Sequence, residues 1–133
     1  MTPVFLDTIG LVALWAQSDQ WHGAAELAFQ TILAARRPKL TTSLVLVECA
    51  NAVARKPFRV DVVNLRRELT RRHSLVHPTE EDWSDAWTAY EAGRPGDPGI
   101  VDCVSFVVMR RYGLTEAFTD DQHFQAAGFT TLF

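Results

Sequence analysis

The sequence predicts an α/β domain in which a short, mostly parallel sheet is covered by helices on both faces. Three observations point there. Short apolar runs alternate with longer segments of helical periodicity along the whole chain. No internal repeat, low-complexity tract or linker interrupts that alternation, so residues 1–133 read as one domain. At 133 residues with 47% hydrophobic and 22% charged residues, the chain can bury a core without disulfides or a structural metal.

The elements follow in order. Val4-Phe5-Leu6 is a short apolar strand, and after Asp7-Thr8 a helix runs through Leu11, Leu14 and Trp15. A second helix spans about Trp21 to Arg36, with Ser18 or Asp19 to cap its start and Pro38 just past its end. Leu40-Thr41-Thr42 is a second strand, and Ser43 is placed to cap a helix over Leu44 to Ala54. From Val60 to Arg72, Val62, Leu65 and Leu69 share one face while Arg67 and Arg71 take the other, the pattern of a surface helix. Leu75-Val76-His77 is a strand, and Thr79 to Asp82 opens an acidic-ended helix that stops at Gly93. The run Arg94-Pro95-Gly96-Asp97-Pro98-Gly99 is the clearest loop. A helix over Ile100 to Tyr112 ends at Gly113, Glu116 to Thr119 forms another strand, a helical turn covers His123 to Ala127, and Thr130 to Leu132 is the last strand.

Composition narrows the class. Cys49 and Cys103 sit inside apolar runs with no Cys-x-x-Cys spacing, as reduced core cysteines do in a cytosolic protein. No signal peptide and no bilayer-length apolar stretch is read, which leads to the expectation of a cytoplasmic protein without a membrane partner. The net charge of −3 excludes a general nucleic-acid binder, so any such contact must be local. The cations Arg55, Lys56, Arg59, Arg66, Arg67, Arg71 and Arg72 lie in one stretch, either a solvated face or a strip that guides phosphates or a partner.

Four acids stand where acids are costly. Asp7 closes an apolar strand at its carboxyl end, where open α/β sheets form ligand sites. Glu48 interrupts Leu44-Val45-Leu46-Val47, and Asp102 lies among Ile100, Val101, Cys103, Val104 and Phe106. Asp121 follows the fourth apolar strand. Each has an ordinary alternative: Asp7, Asp102 and Asp121 as helix caps, Glu48 as the partner of a basic side chain. Together they are explained more simply by convergence on a divalent cation, which offsets both desolvation and mutual repulsion. An all-oxygen set suits Mg²⁺ or Mn²⁺ rather than a closed zinc site, and the four histidines show no ligand spacing. His123, two residues after Asp121, has the best claim to support the site.

The ordered set of segments resembles the PIN domain family, specifically VapC-type toxins of toxin–antitoxin pairs. The matching segments are Val4 to Thr8, Thr42 to Glu48, Asp97 to Phe106, Ala117 to Phe124 and Ala127 to Phe129. The resemblance implies a three-layer α/β/α sandwich and Mg²⁺- or Mn²⁺-dependent endonucleolytic cleavage of RNA. It places the family's acids on Asp7, Glu48, Asp102 and Asp121, the last chosen over Asp120 because an x-His-Phe follows it. Asp97 matches an additional acid, and Gly99 departs from a frequent Ser. On this reading Asp7, Asp102 and Asp121 hold the ion and Glu48 positions or deprotonates the attacking water. Thr8, Thr119, Asp97 and Asp120 support them, and Arg55, Lys56 and Arg94 guide phosphates. A cognate antitoxin and a homodimer are implied as partners. Two rival readings are a receiver-like phosphoacceptor using Asp7 or Asp121, and a non-catalytic module whose acidic pocket takes a basic peptide.

Overall fold

The computed structural model describes residues 1–133. In chain order the elements are β1 (Val4–Leu6), α1 (Thr8–Trp15), α2 (His22–Ala34), β2 (Lys39–Thr42), α3 (Ser43–Ala52), α4 (Arg59–Arg71), β3 (Leu75–Val76), α5 (Glu80–Ala92), α6 (Ile100–Arg111), β4 (Glu116–Phe118), α7 (Gln122–Ala126) and β5 (Thr130–Thr131). Every expected strand and helix is present, with ends shifted by up to two residues at most boundaries. Helix α2 stops at Ala34 because Arg36 takes a left-handed φ of 52°. Helix α3 is capped by Thr42, one residue before the expected Ser43, since the Thr42 hydroxyl accepts from the Val45 N–H. The Thr79 start carries a full capping box with Asp82, and Gly113 takes φ 68° just past α6, the left-handed position a glycine fills without strain.

The five strands form one parallel sheet in the order β3-β2-β1-β4-β5. Val4 pairs with Lys39 and Phe5 with Leu40 on one side of β1; Phe5 pairs with Ala117 and Leu6 with Phe118 on the other. The chain winds outward from β1 through β2 and β3, then crosses back to β4 and β5. The strand order therefore reverses between β1 and β4, and the carboxyl ends of those two strands frame the crevice where such sheets bind ligands. A receiver-type order, 2-1-3-4-5, is not what the chain adopts.

Alternate residues face opposite layers. Phe118 of β4 meets the ring of Phe29 on α2 at 5.3 Å, whereas Phe5 of β1 meets Phe124 of α7 at 6.4 Å and Phe124 meets Phe106 of α6 at 4.9 Å. Both layers thus press aromatic side chains onto a sheet whose central strand is fully buried. Gly10 sets how closely α1 approaches the sheet, because a Cβ there would lie 2.0 Å from the Phe118 carbonyl oxygen. That contact holds the start of α1 against the end of β4. On the far side, buried Asp82 receives two hydrogen bonds from Arg111, at 2.6 and 2.9 Å, clamping α5 to the end of α6. Asp82 thus serves both the first turn of α5, where it completes the capping box, and this ion pair.

Candidate active site

Asp7 leaves β1 at the point where strand order reverses, and packing from both layers leaves it only 2% exposed. It occupies the N-cap position of α1, yet its side chain makes no capping bond. One carboxylate oxygen instead accepts from the Thr119 hydroxyl at 2.9 Å, across the β1–β4 junction. Burial above all, with the negative charges of Asp102 and Asp121 adding to it and the Thr119 bond opposing it, raises its pKa from 3.8 to about 7.

Asp102 stands in the first turn of α6, 21% exposed, without a basic partner among Lys or Arg. Burial first, then Asp121 and Glu48, raise its pKa to about 6, while His123 pulls the other way. The apolar run around it predicts burial on most sides; the carboxylate keeps partial exposure because the first turn of α6 opens onto the sheet's carboxyl edge. Glu48 is half-buried on α3 and pairs with no cation; it accepts from the Thr8 hydroxyl. Beneath it the Cys49 thiol is pushed up to about 12, mainly by burial, with Asp7 and Glu48 adding to the effect. Cys49 and Cys103 are both free and buried, as expected.

Asp121 serves two purposes. Its carboxylate accepts from the His123 N–H at 2.9 Å and so caps α7, while its own N–H donates to Thr119. The same side chain still faces Asp102, whose pKa it raises. The loop after β4 therefore delivers a short hydrogen-bonded chain, Asp121 to Thr119 to Asp7. Four acids from four parts of the sequence thus share one crevice, where the charges of Asp102 and Asp121 act on Asp7 and those of Asp121 and Glu48 on Asp102.

Two supporting residues fall differently from Thr8 and Thr119. Asp97 is exposed and does not reach the cluster; it accepts from the Arg94 N–H at 2.7 Å and shapes the loop before α6. It does so because a short Asp side chain two residues before Gly99 is spent on its own turn. Asp120 lies beside Asp121, half-buried, with its pKa raised by burial and by Asp121 and Asp19.

His123, the histidine expected to support the site, stands beside two of the acids. Its Nδ1 lies 3.6 Å from Asp121 Oδ1 and 3.8 Å from Asp102 Oδ2, and its Nε2 lies 3.0 Å from the Gly96 carbonyl oxygen. The signal was its place two residues after Asp121; the contact to Gly96, 27 residues earlier, has no local trace. The other histidines are elsewhere. His22 joins Ala13 and Glu26, and His73 and His77 are exposed.

The donor set fits a divalent cation. Ligand atoms of Asp102, Asp121 and His123 all lie within 4.8 Å of one another, and Asp7 adds a buried carboxylate whose charge the protein alone does not offset. The densest group of cations is remote from this crevice. Arg36, Arg37, Lys39 and Arg72 line a cleft at the amino end of the sheet, with Glu68 already held by Arg71 and Arg72. Helices α2 and α4 both end there, and their carbonyl termini favour positive charge nearby.

The family profile described as PIN domain matches residues 4–130. The chain belongs to the PIN domain family. It is 30% identical over 128 residues, 95% of each chain, to the "23S rRNA-specific endonuclease VapC20" of Mycobacterium tuberculosis, strains CDC 1551 / Oshkosh and H37Rv. The crystal structure of Mycobacterium tuberculosis VapC20, described as a Sarcin-Ricin loop cleaving toxin, superposes with a TM-score of 0.76 at 28% identity, covering 96% of both chains. As a PIN domain of VapC type, the chain has the α/β fold expected of it, with seven helices and an all-parallel five-stranded sheet. No helix is long and apolar enough to cross a membrane.

Proposed function

We propose that this PIN domain is a VapC-type endoribonuclease toxin that hydrolyses RNA phosphodiester bonds at a Mg²⁺- or Mn²⁺-loaded carboxylate centre. The observation that carries the reading is the gathering of Asp7, Glu48, Asp102 and Asp121 at the β1–β4 crevice without a Lys or Arg among them. A bound divalent ion supplies Lewis acidity at phosphorus and offsets the charge of the phosphate. Asp7, Asp102 and Asp121 are the residues that hold it. Thr119 orients Asp7 through its hydroxyl and Asp121 through the bond it accepts. Glu48, aligned by the Thr8 hydroxyl, is the base that takes a proton from the attacking water at a carboxylate oxygen.

Ribosomal RNA is the first substrate to test, since the relatives are named for cutting 23S rRNA. The exposed Arg94, in the loop beside the crevice, and Arg55 and Lys56, at the far end of α3, are available to phosphates. The same negative crevice suits a basic segment of a cognate antitoxin, and the working form is a cytoplasmic homodimer. The test is cleavage of total RNA with Mg²⁺ or Mn²⁺, with cut sites mapped. Asp102→Asn is expected to abolish the cuts while leaving the circular dichroism spectrum unchanged. Full cleavage by that variant would overturn the assignment.

A further inference from the structure

We infer that His123 is a nitrogen ligand of the bound ion, so that the centre discriminates in favour of Mn²⁺ and Co²⁺ over Mg²⁺. The inference rests on the reading of the acids as a metal site and adds a donor that none of the carboxylates supplies.

The argument begins at the other side of the ring. His123 Nε2 lies 3.0 Å from the Gly96 carbonyl oxygen, which can only accept, so Nε2 carries the hydrogen. In the neutral ring the lone pair is therefore on Nδ1, and Nδ1 faces the crevice. Its distances to Asp121 Oδ1 and Asp102 Oδ2, 3.6 and 3.8 Å, are too long for hydrogen bonds. They are close to the spacing of neighbouring donors around one ion, because bonds of ~2.0–2.2 Å put adjacent ligand atoms about 3–3.6 Å apart. A histidine that binds metal through one nitrogen characteristically gives its other N–H to a backbone carbonyl or carboxylate, which fixes the ring plane. Gly96 does this here from the loop between α5 and α6, and the Asp121 bond to the His123 N–H fixes the backbone beneath. The ring is held at both ends with its free nitrogen toward two carboxylates.

An imidazole changes which ion the site prefers. Mg²⁺ keeps oxygen ligands and sheds water reluctantly, whereas divalent transition ions accept nitrogen with affinities that rise from Mn²⁺ to Co²⁺. Two oxygens and a nitrogen from Asp102, Asp121 and His123 therefore favour the latter.

The test is Mn²⁺ and Co²⁺ binding to the full chain, with pulsed EPR of the Mn²⁺-loaded protein to detect directly bonded ¹⁴N. The expected result is a nitrogen coupling in the parent that disappears in His123→Gln. Mn²⁺ and Co²⁺ affinity should fall at least about 10-fold in that variant, no less than the loss of an outer partner costs, and Mg²⁺ affinity by a much smaller factor. Carboxylate-dependent Mn²⁺ binding without nitrogen coupling, or Mn²⁺ affinity unchanged or increased in His123→Gln, overturns the role of His123 alone. An increase would mean that the ring competes with the ion as a cation. Absence of Mn²⁺ binding, or binding that survives both Asp102→Asn and Asp121→Asn, overturns the metal-site reading and this inference with it.

Discussion

Replacing Asp7 with Asn is expected to stabilise the metal-free protein at pH 8. In the folded chain the Asp7 carboxyl titrates at about 7, against 3.8 for an ordinary aspartate. The unfolded chain therefore ionises first, and folding becomes less favourable as pH rises through 3.8, with the full cost present above 7. At ~1.4 kcal/mol per pH unit, the difference between 3.8 and about 7 amounts to about 4 kcal/mol. Asn removes that cost and keeps an oxygen to accept from Thr119. The gain at pH 8 in EDTA should approach 4 kcal/mol, or on the order of 10 °C in Tm for a domain of this size. At pH 3 it should all but vanish, because neither state of the parent is then strongly ionised at this position. Adding Mn²⁺ should narrow the gap at pH 8, since saturation at 100-fold over Kd stabilises the parent by ~2.7 kcal/mol and the variant has lost a ligand. Urea denaturation at the two pH values, with and without Mn²⁺, measures all four corners. A variant no more stable than the parent at pH 8 in EDTA, or a gain that does not change with pH, would refute the electrostatic account.

Three further outcomes are expected. Glu48→Gln can still accept from Thr8 but cannot take a proton, so RNA cleavage should fall about 10²–10⁴-fold while Mn²⁺ affinity by calorimetry changes little. Gly10→Ala drives a methyl group into the Phe118 carbonyl at 2.0 Å; a stability loss of at least ~1–3 kcal/mol and a parallel loss of cleavage should appear, and normal values for both would show that the helix shifts freely. Asp82→Ala leaves Arg111 unpaired, and because Arg111 is partly solvated the expected loss is about 2–3 kcal/mol. Burial opposes ionisation of Asp82, but the Arg111 bonds and the Thr79 N–H hold its pKa below the usual value. Its contribution should therefore be present at neutral pH and fade as acid protonates it.

The order of elements was legible because each carries a local signal. Val4-Phe5-Leu6 is too short and apolar for a helix, Thr79 to Asp82 puts acids in a first helical turn, and Gly113 marks the end of α6. What local signals could not fix were choices between adjacent hydroxyls and depths of burial. Thr42 and Ser43 are equally good caps in sequence, and only the strand's end decides for Thr42. The apolar run Leu44 to Val47 does not say which of its residues are buried: Val47 is 57% exposed, because hydrophobicity does not report which face lacks a neighbour. The acids stood out because a carboxylate in an apolar run is costly. Their convergence, like the His123–Gly96 and Asp82–Arg111 contacts, depends on pairings dozens of residues apart and became visible only in three dimensions.

The reversal of strand order has a consequence for synthesis of the chain. Because the crevice lies between the first strand and the fourth, its members are drawn from positions 7 to 121, and no contiguous fragment shorter than that holds them all. On the proposed reading, a nascent chain that has displayed Asp7, Glu48 and even Asp102 holds no complete centre until β4 emerges and docks against β1. Assembly of the centre is thereby postponed to the late steps of folding.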